Sequence, residues 1–173
     1  MAMPEEPMPL NPAAIFCRSL VQLSAMLDKL DAQPQLLAAR LHPDMLPFAQ
    51  QVRAAASFSL RGCCPLAGLA VADFSAAASL QEQVGQTLRY LQAIPARRFD
   101  GAPERICRDR AGFADIALPA DAYLNLYILP NFYFHFSMAY AIARSAGAAI
   151  GKGDFDGYHA YAPGFSFERP TLP

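Results

Sequence analysis

With 173 residues, 54% of them hydrophobic and 17% charged, the chain can bury about 70% of its unfolded surface in one domain, which excludes disorder and any need for disulfides or metal merely to stay folded. A net charge of -1 removes the usual electrostatic reason to expect nucleic acid. No apolar run reaches the roughly eighteen residues a membrane helix requires.

Residues 1–10, with their acids and prolines, read as a flexible or extended lead, since a secretory signal would begin basic and continue apolar. Cys17, Cys63, Cys64 and Cys107 show no C-x-x-C spacing. They are expected as reduced thiols in a cytoplasmic protein. Asn11 followed by Pro12 is a good helix start, because Asn caps free N–H groups and Pro is preset for the first helical position. Phe16, Leu20, Leu23, Leu27 and Leu30 then recur at the three- and four-residue spacing of a bundle seam. Residues 31–34 end this helix, and 35–41 read as a short helical turn.

The second helix is expected to open around His42, Pro43 and Asp44, with Asp44 as cap or first-turn acid and Pro47 tolerable only in the first turn. Its inner stripe is Met45, Phe48, Ala49, Val52, Ala55, Ala56 and Cys63; Gln50, Gln51, Arg53 and Arg61 lie outside. Residues 62–68 end it. After a loop, Ser79 and Glu82 fit the S-x-x-E capping box. Leu80, Val84, Leu88, Leu91 and Ile94 give a third apolar stripe, closed by Pro95.

From 96 to 119 the period changes. Arg97, Arg98, Arg105, Arg108 and Arg110 are interleaved with Asp100, Glu104 and Asp109, which suits a solvated loop. Within it, 105–108 and 113–118 read as two short strands around a turn at 109–112.

The last long helix spans about 119–146, with Asp121 in its first turn and Gly147 as its stop. At about 100° per residue, Leu124, Ile128, Asn131, His135, Met138, Ala139 and Ile142 share the inward face. Leu126, Tyr133, Ser137, Tyr140 and Arg144 share the other. Asn131 and His135, one turn apart, can converge on one point in the core. Pro130 removes an N–H from the ladder and predicts a bend beside them. Such a histidine either satisfies a buried neighbour or fixes a ligand. Tyr133 and Tyr140 suit a homodimer interface. Residues 147–173, rich in Gly, Pro and aromatics without a period, read as a strap across the bundle. The fold expected is all-α, an antiparallel four-helix bundle with a small β-hairpin between its third and fourth helices.

The runs RLHPDMLPFAQQV, LPNFYFH, AYAIAR and IGKGDFDG resemble an uncharacterised bacterial family of unknown function related to the DinB-like helical bundles, over about residues 12–157. The resemblance implies one DinB-like helical bundle domain at 11–157, commonly dimeric, between the lead and a tail at 158–173. Better-known members of that superfamily hold a divalent metal with three histidines and include thiol-dependent transferases and isomerases. In those relatives one histidine comes from near the start of the second helix and two from an H-x-x-x-H pair on the last long helix. His135 matches the second member of the pair, Asn131 stands in place of the first, and His42 with Asp44 is the candidate near the second helix.

Two imidazoles and an amide make a poor zinc or nickel site, since those ions favour three strong nitrogen, sulfur or carboxylate donors. The leading expectation is therefore a protein without a cofactor that binds a small, largely apolar molecule, oriented by Asn131 and His135 with Tyr127 and Asp44 beside them. The alternatives are a metal-dependent thiol or amine transferase using His135, His42 and Asp44, and a structural dimer without ligand. No G-x-S-x-G, phosphate-binding glycine turn or reactive-thiol signature adds a further activity.

Overall fold

Local chemistry sets the helix starts. Asn11 Oδ1 accepts the amide of Ala13 at 3.1 Å, so α1 (Pro12–Leu30) begins where the Asn-Pro pair places it. Ser79 Oγ accepts the amide of Glu82 at 3.0 Å while the Glu82 carboxylate accepts that of Ala78 at 2.9 Å. That reciprocal pair opens α3 (Leu80–Gln92). The structure is a computed structural model describing residues 11–30, 34–162 and 165–167. The lead at 1–10 and part of the tail lie outside the described residues.

The remaining elements are α2 (Phe48–Leu66), a hairpin of β1 (Ile106–Ala111) and β2 (Ala114–Pro119), α4 (Ala120–Ala122), a π-helical turn (Tyr123–Ile128), α5 (Leu129–Ser145) and α6 (Lys152–Asp156). Short 3-10 turns at Pro34–Ala38, Ala96–Phe99 and Ala102–Glu104 connect them. The four long helices form the expected bundle, with α2 against α5 and α1 against α3. Phe16, Leu20, Leu23 and Met26 of α1 are fully buried with Phe132 and Ile142 of α5. Phe16 meets Phe132 edge-on, ring centroids 5.0 Å apart. Among the described residues no helix is long and apolar enough to cross a membrane, and all four cysteines are free.

The second helix starts at Phe48, not around His42. Pro47 holds an extended backbone (φ -70°, ψ 164°) immediately before it, and the segment ahead is a turn in which Arg40 donates to the carbonyls of Pro43 and Met45. His42 and Asp44 pair with each other there, both exposed. Gln51, expected on the outer face of α2, is buried, with only 1% of its surface exposed.

The hairpin turn also differs. Gly112, at φ +60°, and Phe113 make a two-residue turn between Ala111 and Ala114. A type II′ turn wants glycine at its first central position, and that requirement sets the register. Asp109 consequently lies within β1, opposite Ile116. The arginine-rich segment is not a simply solvated loop either. Arg105 donates to the Leu66 carbonyl at 2.5 Å, placing a cation on the negative end of α2.

The inward face of the last helix is displaced from the expected one. A bond from the Leu129 amide to the Leu124 carbonyl, five residues back, widens the helix just ahead of Pro130. Pro130 then falls in the first turn of α5, where its missing N–H is tolerated. Beyond that turn the buried positions are Phe132, Phe136, Ala139, Ile142 and Ala143. Asn131 and His135 are only half-buried. Tyr140 meets Phe155 of α6 and Tyr133 reaches Ser19 of α1, so both expected outer aromatics are partly covered by the chain itself.

Candidate functional site

One imidazole from α5 and one carboxamide from α2 meet where the two helices pack. His135 Nδ1 lies 2.7 Å from Gln51 Oε1, and its ring stacks on Phe58 at 5.4 Å and 22°. Phe134 closes edge-on at 5.2 Å. Gln51 Nε2 donates to the Leu46 carbonyl at 3.2 Å. Because a carbonyl can only accept, that bond orients the amide and presents Oε1 to the imidazole. His135 therefore donates from Nδ1, and its Nε2 carries a lone pair with no hydrogen-bond partner among the described residues.

Asn131 does not converge with His135 on a shared point. Its Nδ2 donates back to the Tyr127 carbonyl at 2.7 Å, within its own helix. Tyr127 belongs instead to a brace that ties the hairpin to α2. Arg61 donates to Asp109 Oδ2 from Nε at 2.9 Å and from Nη2 at 2.8 Å, and to Tyr127 Oη at 2.6 Å. Tyr123 Oη donates to Asp109 Oδ2 and to the Arg61 carbonyl, each at 3.0 Å. Burial, then the neighbouring Asp109 charge, pushes the Tyr123 phenol up, so it remains a donor. The Arg61 guanidinium also lies 4.2 Å over the Phe58 ring, joining the brace to the histidine.

Sequence reasoning missed Gln51, Phe58, Arg61 and Asp109. Gln51 and Arg61 carry a polar-residue signal that reads as surface, and their partners lie 84 and 48 residues away. Neither Asn131 nor His135 lines any of four cavities in the fold, of about 370, 310, 280 and 510 Å³. A molecule held by His135 would lie outside those cavities, at the surface where α5 meets α2.

The three-histidine metal set implied by the resemblance does not fit these residues. From α2 it is Gln51, a carboxamide, that reaches His135, while His42 is engaged with Asp44 on the exposed turn. Among the described residues no three His, Cys, Asp or Glu side chains gather to hold a metal ion.

Burial, and after it the positive charge of Arg61, holds the His135 pKa below the usual histidine value of 6.5. The folded protein takes up that proton less readily than the unfolded chain. The stability His135 contributes is thus complete above the ordinary value and is lost as the pH falls through the depressed folded one. Arg61→Met is expected to move the His135 midpoint upward in an NMR titration of its ring protons, yet leave it below the ordinary value, because burial is the larger cause. An unchanged midpoint would contradict the influence of Arg61.

Residues 12–156 match the family described as a domain of unknown function, DUF1993. Among solved structures, the chain is similar to a DinB family member protein from Shewanella denitrificans. The two are 25% identical, with a TM-score of 0.71, over 87% of this chain and 92% of that one. No curated protein matches the chain. A DinB-like bundle whose matched region runs from the first residue of α1 to the last of α6 belongs to the DUF1993 family.

Proposed function

We propose that the protein binds a small, largely apolar molecule in a surface slot beside the α2–α5 junction, with His135 Nε2 accepting a hydrogen bond from a hydroxyl, amine or similar donor on that molecule. The observation carrying this reading is the unpartnered lone pair on an imidazole whose tautomer Gln51 fixes. Phe58 and Phe134 supply apolar and aromatic surface on either side of the ring. Such a combination, apolar walls with one convergent polar group, is what orients a small ligand. Asn131, whose donor is spent on Tyr127, shapes the helix beside the slot and does not hold the ligand through that donor.

A fragment screen by NMR, using phenols, indoles and aryl amines, tests the reading. Fragments are expected to shift the His135 ring signals, and His135→Phe, which keeps a ring against Phe58 but has no acceptor, is expected to weaken the best fragment about tenfold or more. Fragments that bind equally well to the His135→Phe protein would overturn it.

A further inference from the structure

A cavity of about 370 Å³ lies between the last turn of α1, the 3-10 turn Pro34–Ala38 and the starts of α2 and α3. Its wall is mostly apolar, with Leu27, Leu30, Leu36, Phe48 and Leu80 among the lining side chains. Besides Ser79, whose hydroxyl caps α3, two polar side chains interrupt it. Arg53 is half-buried and is the one formally charged side chain among the described lining residues. Its guanidinium makes no hydrogen bond or ion pair with any described residue.

Gln81 is the second. Its Nε2 donates to Ser24 Oγ at 2.9 Å and to Asp28 Oδ1 at 2.6 Å. A carboxylate only accepts, so Asp28 fixes which way the amide faces. Gln81 Oε1 is left buried without a partner.

We infer that this cavity is a second binding site, separate from the His135 slot, and that its occupant is an amphipathic carboxylic acid with a hydroxyl near its head group. The aliphatic wall takes the chain, as burial of apolar surface favours. Arg53 takes the carboxylate through paired N–H donors, the geometry its guanidinium is built for. The hydroxyl donates to Gln81 Oε1. A neutral alcohol would leave Arg53 unanswered, and an alkylammonium would face it with like charge.

Isothermal titration with decanoate, β-hydroxydecanoate, decanol and decylammonium tests this. Decanoate is expected to bind at least tenfold more tightly than decanol, with decylammonium weakest and β-hydroxydecanoate tightest. Arg53→Met is expected to remove the preference for carboxylate while leaving decanol binding in place, which shows that the cavity still folds. Gln81→Leu is expected to abolish the advantage of the hydroxyl alone, and His135→Phe to leave all four affinities unchanged. Decanol or decylammonium binding as well as decanoate would overturn the inference. So would a carboxylate preference that survives Arg53→Met, or the absence of any decanoate binding.

Discussion

Phe132→Ala is expected to destabilise the fold by about 3–5 kcal/mol and to lower the melting temperature by about 10 °C. Phe132 has no exposed surface. It packs edge-on to Phe16 at 5.0 Å and lies beside Phe136, ring centroids 6.2 Å apart, so its ring is where α1 and α5 meet. Truncation removes the transfer free energy of the ring and leaves a void between two helices whose other side chains are in contact. The matched control is Phe134→Ala, two residues on, where the residue is already 51% exposed. That change is expected to cost about 1 kcal/mol or less. Thermal and urea denaturation of the two variants measure the difference. Equal losses would mean that the buried face of α5 has been wrongly phased.

The second large effect concerns the hairpin. Asp109→Ala is expected to cost about 2–3 kcal/mol, below the full penalty for breaking a buried pair because Arg61 and Asp109 keep 22% and 15% of their side-chain surface exposed. The loss follows from what is left behind. Arg61 would retain the Arg110 carbonyl and Tyr127 but no counter-charge, and Tyr123 would lose one acceptor while keeping the Arg61 carbonyl. Replacing both charges together, Arg61→Met with Asp109→Leu, is expected to cost less than Asp109→Ala alone, since no charge is stranded. Hydrogen exchange adds a spatial check. Amides of Ile106–Ala111 should lose protection in Asp109→Ala before those of α1 do. A double variant less stable than the single one would refute this account.

How much of this was legible in the sequence depends on how local the cause is. The starts of α1 and α3 were readable because a cap bonds within three residues of itself, and their stripes because Leu and Val sit at helical spacing on a plainly polar background. The register of the hairpin turned on one position, Gly112, whose positive φ places the turn later than the charged residues suggested. Gln51 could not be read from its neighbours. Its burial is sustained by His135, 84 residues on, and a glutamine beside Gln50 and near Arg53 reads as surface.

The candidate site was legible in part. His135 was picked out, but its partner is Gln51 and not Asn131, because the inward face of the last helix was assigned to aliphatic residues. Ile128, Phe132 and Phe136 at spacings of four carried the true signal. At the expected phasing no Phe or Tyr side chain faces inward: Tyr133 and Tyr140 fall on the other side, and Phe132 and Phe136 on neither.

The π-helical turn has one more implication. Tyr123 must meet the hairpin through Asp109 while Phe132 must meet α1 through Phe16, and a regular spiral of fixed pitch would aim the two segments at angles set by their separation alone. One extra residue per turn works as an angular spacer between these docking demands. A one-residue deletion at exposed Leu126 would keep the chain continuous yet turn Tyr123 by about 100° relative to α5, carrying its hydroxyl away from Asp109.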